Sequence, residues 1–567
     1  MLLLFLLLLL LLLLLPPLSR LWQPWSPGPR LSWLACLQHR VAWGALCWAA
    51  AWQRRRLEQS TLRAGQSQQQ ALRWCLQGAP GPRRPLRGST DMSAFRSHLP
   101  LTKASLAQEE ESGEQLLPPA SKQHHGKASL QVNSSPMDPN LQPHPPLRVG
   151  KDSPDGGPTP CPVSLQATLL GLAALNKAHP EVLVPGGTAC LTPTSPWPSP
   201  LPWPWRVPSP GSAPGAKDPG ALLLEALRSP GLRALEARTA VELLDVFSGL
   251  EANGEELARA LAAGGPGAPL PWRAAELREA LEQGPRGLAL RLWPQLQVVV
   301  TLDAGGQAEA VAALRALWCR GLAFFSPAYA AAGGVVGLNL WPEQPGGLYL
   351  LPPGAPLIEL LPVREGGQEE AATTVLLAEA QEGEEYELVL TDHTSLTRCR
   401  LGDVVRVVGA YNQCPVVRFV RRLSQTLSVR GEDIGEDVFS EALSRAVGQW
   451  PGATLLDHGC VESSVLDSSG GSAPHYEVFV ALRGLRNLSE ENRDKLDHCL
   501  QETYPRYKSL RFRGSVGPAR VQLVGPEAFR ELRAALAASP SSPFPPEMPR
   551  VLRHRRLARL LQRRVLS

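Results

Sequence analysis

The chain has 567 residues, a formal net charge of +5 and ten cysteines. This length can bury more than one hydrophobic core, so we expect a large domain and a smaller one. The small positive charge comes from arginines that are scattered along the chain and gathered at its C-terminus, and it does not indicate a nucleic-acid partner. The cysteines form no CxxC pair and lack the Cys/His spacing of zinc ligands, so a structural metal site is not expected.

The N-terminus predicts entry into the secretory pathway. Residues 2–15 form an unbroken apolar run, which has the length of a signal h-region and is short for an ordinary membrane span. We therefore interpret residues 1–18 as a signal peptide or, if it is not cleaved, as a signal anchor that associates the chain with the endoplasmic reticulum membrane. Asn133 and Asn487 begin Asn-x-Ser triplets and are the predicted glycosylation sites.

Residues 40–104 are predicted to form a helical entry segment. Within it, the apolar stretch 41–52 is rich in Trp and is soon followed by three arginines. An interfacial membrane contact is one interpretation, and an amphipathic first helix of the globular part is the other. We favour the second because Gln and Arg dominate the residues that follow. Residues 105–162 are rich in Gln, Ser, Pro and His with few aliphatic side chains, and are predicted to be a disordered insert.

Residues 163–422 are predicted to form a large α/β domain. Its first part contains a helix at 164–178, a Pro/Trp-rich tract at 192–219 that should be extended, and several successive helices between 219 and 283. Beyond this point helices and strands alternate, which is typical of an α/β core. The segments predicted there are a strand at 292–303, a helix at 307–318, and strands at 322–326 and 348–351.

The segment 396–427 carries a candidate site. Valines at 404, 405, 407 and 408 predict a buried strand that Gly409 ends. Asp403 follows Gly402 at the predicted start of this strand. A Gly-Asp pair is most often a turn. A carboxylate held there can also accept two hydroxyl hydrogen bonds, as recognition of a ribose requires.

This segment resembles the GH-three (Gretchen Hagen) family, the plant auxin-responsive acyl-acid amido synthetases. The resemblance rests on the order of its matching residues, which are Arg398, Arg400, Gly402, Asp403, Gly409, Asn412, Pro415, Phe419, Arg421, Arg422, Leu427 and Ser428. It implies an α/β fold like that of the adenylate-forming enzymes, with strands at 357–363 and 385–391 where the sequence matches two strands of the family. In that fold the large N-terminal domain is followed by a smaller α+β C-terminal domain, which would occupy residues 423–567.

The resemblance also implies a reaction. In that family a carboxylic acid attacks the α-phosphate of ATP to give an acyl-adenylate, and an amino acid amine then displaces AMP to make an amide. ATP or AMP, a small carboxylic acid and an amino acid are therefore the implied ligands. Tyr329 matches the family's aromatic stacking residue, Asp403 matches its ribose-binding carboxylate, and Arg422 lies close to the hinge between the domains.

Other positions depart from the family pattern. The phosphate-cradling loop is not found in the sequence, and the similar segment 468–472 has no nearby Lys and is interpreted as a surface loop. Gly333 replaces the glutamate that handles magnesium, so magnesium binding of the family type is not expected. Glu547 replaces the lysine that approaches the reacting phosphate, unless the register differs and Lys508 or Arg520 supplies the cation. No catalytic residue of the family is predicted to be intact.

The arginine-rich segment that ends the chain predicts a basic amphipathic helix. Docking onto the small domain is the role that the resemblance implies, and a membrane-surface helix is the alternative. Two hypotheses for the whole chain therefore stay open. It is an ATP-dependent acid–amino acid ligase, or a catalytically inactive family member that acts as a nucleotide-binding or protein-interaction module in the endoplasmic reticulum.

Overall fold

The computed structural model describes residues 33–77, 92–103, 163–199, 205–206, 218–264, 267–331, 334–344, 346–354, 356–363, 373–391, 397–466, 473–485, 487–537 and 548–566. Several predictions concern positions outside these residues. They are the leader at 1–18, the insert at 105–162, the loop at 468–472, Asn133, Gly333 and Glu547.

The described helices are α1 (Trp33–Leu62), α2 (Ala64–Gln77), α3 (Met92–His98), α4 (Val163–Ala178), α5 (Pro219–Arg228), α6 (Ala240–Ala252), α7 (Gly254–Ala263), α8 (Pro271–Glu282), α9 (Leu288–Leu292), α10 (Ala308–Ala316), α11 (Glu436–Gly448), α12 (Glu490–Thr503), α13 (Pro505–Phe512), α14 (Pro526–Ala537) and α15 (Arg555–Gln562). Local chemistry defines some of their ends. The Asp218 carboxylate caps α5 by accepting from Ala221 N, and Thr239 caps α6 in the same way.

The described strands are β1 (Leu101–Lys103), β2 (Thr188–Cys190), β3 (Ala234–Ala237), β4 (Val298–Thr301), β5 (Ala323–Phe325), β6 (Ala328–Ala331), β7 (Gly334–Leu338), β8 (Tyr349–Leu350), β9 (Leu357–Pro362), β10 (Glu385–Thr391), β11 (Arg398–Tyr411), β12 (Cys414–Arg422), β13 (Thr454–Glu462), β14 (Tyr476–Arg483) and β15 (Arg520–Leu523). They form three sheets. A parallel sheet has the order β2-β3-β4-β5, a mixed sheet has the order β6-β7-β8-β12-β11-β10-β9 with β1 beside β11, and a small sheet has the order β13-β14-β15.

The parallel sheet differs from the sequence prediction in two places. The strand predicted at 292–303 begins only at Val298, because Leu292 ends helix α9 and Trp293 N–H bonds back to Ala289 O. Strand β3 interrupts the region that was predicted to be all helical. Its Ala-Leu-Glu-Ala sequence has no strand preference of its own, and it is extended because it pairs with β2 on one side and β4 on the other.

The mixed sheet contains the segment that carried the family resemblance. The strands predicted around 348–351, 357–363 and 385–391 are confirmed as β8, β9 and β10. The strand predicted from Asp403 starts earlier, at Arg398, so Asp403 lies inside β11 and not at its beginning. Gly402 has a φ of +80°, and this left-handed residue lets the strand continue through an irregular point.

The small sheet begins with an antiparallel pair, β13 and β14, to which β15 adds in parallel. Ala558 and Leu561 of α15 are buried in the same apolar cluster as Phe529 of α14, so the basic helix docks on this part of the chain as the resemblance implied. None of the helices in the described ranges has the length and apolar character needed to span a bilayer. The described residues also contain no group of three or more His, Cys, Asp or Glu side chains suited to a metal ion.

A buried ion pair joins the entry segment to the mixed sheet. Arg398 donates from Nε to Glu359 Oε2 (2.9 Å) and from a terminal nitrogen to Glu359 Oε1 (3.0 Å). The same guanidinium donates to Leu99 O (2.9 Å) and to the Thr374 hydroxyl (2.9 Å). Arg96 of α3 adds a second cation at 2.9 Å from the carboxylate of Glu359. One buried carboxylate therefore connects α3, β9 and β11.

We expect Arg398→Ala to destabilise the protein by about 3–5 kcal/mol, because it leaves Glu359 buried without its main cation. Arg406, on the same strand, is exposed and pairs with Glu385, so Arg406→Ala should cost no more than about 1 kcal/mol. Urea unfolding of both variants measures the two losses. Equal losses would contradict this assignment.

Candidate functional site

The structure brings together the three residues that the sequence assigned to a nucleotide. Tyr329 comes from β6, Asp403 from β11 and Arg422 from β12, where Asp403 and Arg422 are direct partners across the strand pair. The Tyr329 hydroxyl donates to Asp403 Oδ2 (2.6 Å), and Arg422 Nε donates to Asp403 Oδ1 (2.6 Å). Both carboxylate oxygens therefore have partners within the chain.

These groups are enclosed. Asp403 is 2% exposed and Tyr329 is 1% exposed. The Tyr329 ring lies 5.5 Å from the Tyr349 ring and 6.1 Å from the Phe419 ring, measured between centroids. Side chains of the chain itself thus surround the face on which an adenine would stack.

A second tyrosine–aspartate pair lies next to the first. The Tyr349 hydroxyl donates to Asp303 Oδ2 (2.7 Å), and Asp303 Oδ1 accepts from Gly305 N (2.9 Å). The sequence predicts a strand at Tyr349 and the end of a strand at Asp303, but it assigns neither residue to the site. These two residues become neighbours of Tyr329 and Asp403 only in the folded chain, and no local sequence pattern indicates this proximity.

Burial raises the pKa of both tyrosine hydroxyls. Burial, the negative charge of Asp403 and the hydrogen bond between them raise the pKa of Tyr329 well above its ordinary range, despite the opposing effect of Arg422. Burial likewise raises the pKa of Tyr349, with Asp303 adding to the effect. Both hydroxyls remain protonated donors at neutral pH, so each aspartate keeps its hydrogen bond.

The loop 303–306 closes this region from the side. Gly305 and Gly306 have φ angles of +80° and +64°, and a Cβ on Gly305 would lie 2.9 Å from the Phe419 ring. Only glycine allows the loop to approach that ring so closely. Arg422 also donates to the Ala304 carbonyl of this loop at 3.3 Å.

The C-terminal part of the chain contacts the same loop through Arg550. Arg550 is buried, is bonded to the Asp457 carboxylate, donates to His458 O (3.0 Å) and reaches Gly306 O (3.4 Å). The terminal nitrogen of Arg550 that reaches Gly306 O also lies 3.3 Å from Glu309 Oε2. The arginine therefore connects β13 with the loop before α10.

Glu309 also contacts a histidine. His458 Nδ1 lies 2.8 Å from Glu309 Oε2. Burial raises the pKa of Glu309, but the neighbouring His458 and Arg550 lower it by more, to about 2. Asp457 and Glu309 together neutralise Arg550, which leaves it without free positive charge for a phosphate.

These residues do not fit an adenosine in this arrangement. A ribose hydroxyl must reach a carboxylate oxygen, and an adenine needs an accessible aromatic face. Asp403 is 2% exposed and Tyr329 is 1% exposed, and the Tyr329 ring packs against Tyr349 and Phe419, so neither group is accessible. The three residues that the sequence assigned to a nucleotide are thus adjacent, and they bind one another.

Other predicted positions lie elsewhere. Asn487 is exposed just before α12. Lys508 lies on α13, and Arg520 lies 3.8 Å from Glu477 in the small sheet. Gly333 and Glu547 fall outside the described residues, so their predicted roles stay predictions.

Comparison with known proteins identifies the domains. Residues 250–315 match the description "Vertebrate GH3, N-terminal domain", residues 349–422 match "GH3 family central domain", and residues 438–544 match "GH3 family C-terminal domain". The solved structure of the GH3.15 acyl acid amido synthetase has a TM-score of 0.54 and 24% identity, covering 61% of this chain and 65% of that one. This likeness shows that the two proteins share a mixed α/β fold.

Two relatives extend over nearly the whole chain. A "GH3 domain-containing protein" from Homo sapiens is 75% identical over 97% of this chain and 98% of its own length. The protein of the same description from Mus musculus is 68% identical over 97% of both chains. The chain therefore belongs to the GH3 (GH-three) family, as the sequence resemblance predicted.

The plant enzymes are more distant. The "indole-3-acetic acid-amido synthetase GH3.8" of Oryza sativa is 31% identical over 50% of this chain and 47% of its own length. The "4-substituted benzoates-glutamate ligase GH3.12" of Arabidopsis thaliana is 27% identical over 53% of this chain. Homology to the acid-amido synthetases is thus present at distant identity and spans about half of each enzyme.

We expect Tyr329→Phe to destabilise the protein by about 1–3 kcal/mol, because it leaves Asp403 Oδ2 buried without a donor. Tyr411→Phe is the matched control, since the Tyr411 hydroxyl reaches Glu58 only at 3.4 Å in an exposed position. Chemical unfolding measures both variants. A Tyr329→Phe loss no larger than that of the control would show that the Asp403 hydrogen bond is not structural.

A pH dependence follows from Glu309. Its lowered pKa means that the charged carboxylate stabilises the folded state above about pH 4.5, and that this contribution is lost as the pH falls towards about 2. Glu309→Gln should flatten the fall in melting temperature across this window. Glu255→Gln, which removes one member of an exposed pair with Arg278, should leave the profile close to that of the parent. Superimposable profiles for the parent and Glu309→Gln would contradict the assignment.

Proposed function

We propose that this chain is a catalytically inactive member of the GH3 family, in which the nucleotide position has become part of the hydrophobic and ionic core. Asp403 carries this proposal. Its two oxygens accept from Tyr329 and Arg422, and it is 2% exposed. The function is then that of a binding or interaction module that uses the family fold without the adenylation reaction.

The free energy needed to admit a nucleotide supports the proposal. A nucleotide sugar would have to replace the Tyr329 hydroxyl and Arg422 as hydrogen-bond donors to the Asp403 carboxylate. Each of these hydrogen bonds to a charged group contributes about 1.5–3 kcal/mol, so displacing both would weaken nucleotide binding by a factor of about 10² to 10⁴. The aromatic contacts of Tyr329 with Tyr349 and Phe419 would also have to open.

The sequence supports the same conclusion at three further positions. The phosphate-cradling loop is not found, Gly333 replaces the metal-handling glutamate, and Glu547 replaces the catalytic lysine. An anion in place of that lysine would repel the charge that develops in the reaction, and loss of even one stabilising donor there costs roughly 3 kcal/mol. Arg550, close in sequence, does not compensate, because Asp457 and Glu309 neutralise it.

An active ligase is the second candidate, and the family relationship favours it. The relatives include enzymes described as acid-amido synthetases and as a benzoate–glutamate ligase. For this chain, such an activity would use ATP, a small carboxylic acid and an amino acid. It requires Asp403 to break its hydrogen bonds with Tyr329 and Arg422 when the nucleotide binds.

Calorimetric titration of the full chain with ATP and with AMP, each with and without magnesium, separates the two candidates. We expect no saturable binding at nucleotide concentrations up to about 1 mM, which corresponds to about 4 kcal/mol of binding free energy. Asp403→Asn keeps the shape of the side chain and is the control for any signal that appears.

Magnesium-dependent ATP binding that Asp403→Asn abolishes would overturn the proposal and justify a screen of acids for pyrophosphate release. Binding that survives Asp403→Asn would place any nucleotide elsewhere on the molecule. Thermal unfolding of the variant, measured in parallel, distinguishes a lost site from a lost fold.

We also propose that the chain enters the endoplasmic reticulum, where Asn487 receives a glycan. The apolar leader at 1–18 and the exposure of Asn487 support this location. Expression in mammalian cells should give a band that endoglycosidase H or PNGase F shifts to lower mass. Asn487→Gln should reduce the shift, and any remaining shift that Asn133→Gln removes would assign the second site. A full chain that neither enzyme shifts would contradict the location.

A further inference from the structure

Helix α1 has two apolar faces, of which the described residues cover only one. Leu46, Ala50, Gln53 and Leu57 recur at intervals of three and four residues, and all four are buried. Leu46 lies in an apolar cluster with Leu169 and Leu172 of α4, and Leu57 lies in a second cluster with Leu170. Through this face, α1 packs against α4.

The opposite face of α1 is also apolar in its middle. Val41, Ala45, Trp48, Trp52 and Arg55 follow the same helical spacing half a turn away from the core face. Trp48 is 72% exposed and Trp52 is 50% exposed. We call this set, together with Arg56, the outer face of α1. Trp43, by contrast, packs against the cluster that contains Leu46.

Arginines continue the outer face towards the C-terminal end of the helix. Arg55 and Arg56 are exposed, and the Arg56 guanidinium lies 5.7 Å from the centroid of the Trp52 ring. Helix α1 contains four arginines and a single glutamate, Glu58, which lies 3.7 Å from Arg54. An exposed tryptophan pair is therefore followed directly by excess positive charge.

Exposed tryptophans beside arginines favour one kind of partner. Adjacent exposed tryptophans leave a large apolar area in water, which a soluble surface seldom does without a partner. Tryptophan prefers the boundary between hydrocarbon and headgroups, because its ring is apolar and its indole N–H can still bond to polar groups. Arginines beside such rings attract anionic headgroups while their aliphatic stems remain in the apolar layer.

We propose that the outer face of α1 is a membrane-docking surface that lies in the headgroup region of a bilayer containing anionic phospholipid. The helix would lie on the bilayer rather than cross it, with Trp48 and Trp52 inserted and Arg55 and Arg56 at the phosphates. The length of chain between the apolar run 2–15 and α1 also allows this placement. Residues 16–32 separate the apolar run 2–15 from α1, and this linker spans at most about 60 Å.

The proposal concerns a surface that is remote in sequence from Asp403 and independent of nucleotide binding. Two other occupants of the outer face compete with the bilayer. One is the leader segment of the same chain, and the other is the outer face of a second copy. An experiment must therefore report what the tryptophan positions touch, and not only whether the protein associates with membranes.

Site-specific photo-crosslinking supplies that readout. Trp48 is replaced in the full chain by p-benzoylphenylalanine, and the protein is irradiated with vesicles of phosphatidylcholine and phosphatidylserine. Trp272 at the start of α8 is 49% exposed, close to the 50% of Trp52, and the same replacement there is the matched control. Mass spectrometry identifies the adducts. Both positions are exposed, so neither replacement should disturb folding.

We expect a lipid adduct at position 48 that is several-fold more abundant than at position 272. In the Arg55→Gln/Arg56→Gln background, the adduct at position 48 should fall by about tenfold or more, because each arginine contributes attraction to the anionic surface. An unchanged adduct would overturn the role of anionic lipid. Equal lipid adducts at both positions, no lipid adduct at position 48, or an adduct with residues 1–32 or with a second copy would each overturn the membrane-docking surface.

Discussion

The buried carboxylate of Asp403 is the constraint on which the rest of the site depends. A charge in an apolar interior must be compensated, and here the compensation comes from Arg422 on the adjacent strand and from Tyr329 at the far end of the mixed sheet. Each carboxylate oxygen then accepts from a donor of the chain itself, and the carboxylate is 2% exposed. The same interaction that joins the strands of the sheet therefore engages the carboxylate that the sequence assigned to a ribose.

The loop 303–306 shows how this constraint reaches the C-terminal part of the chain. Arg422 donates to its Ala304 carbonyl, and Arg550 reaches its Gly306 carbonyl. Arg422 belongs to the mixed sheet and pairs with Asp403. Arg550 belongs to the C-terminal part of the chain and pairs with Asp457 and Glu309, so two separate ion clusters hold the loop 303–306. A movement of the C-terminal part away from the mixed sheet would have to separate Arg550 from Glu309 and from this loop.

The similarity of this chain to its relatives differs in extent. The match to the vertebrate relatives extends over almost the entire chain, whereas the match to the plant synthetases covers about half of it. A fold can be retained while individual side chains change partners, because packing depends on volume and polarity and catalysis depends on a few free polar atoms. Tyr329 and Asp403 illustrate this point, since both are present and both are bonded within the chain.

The sequence by itself determined the family, the α/β class and most strands, because periodic valines and the ordered residues from Arg398 to Ser428 are local patterns. It also placed Tyr329, Asp403 and Arg422 in one site. It missed β3, whose extended form comes from its neighbours, and it missed Asp303, Tyr349, Glu309 and His458, which become neighbours only through long-range packing. Whether Asp403 is free or satisfied was decided by tertiary structure alone, because hydrogen-bond partners 19 and 74 residues away along the chain leave no local pattern.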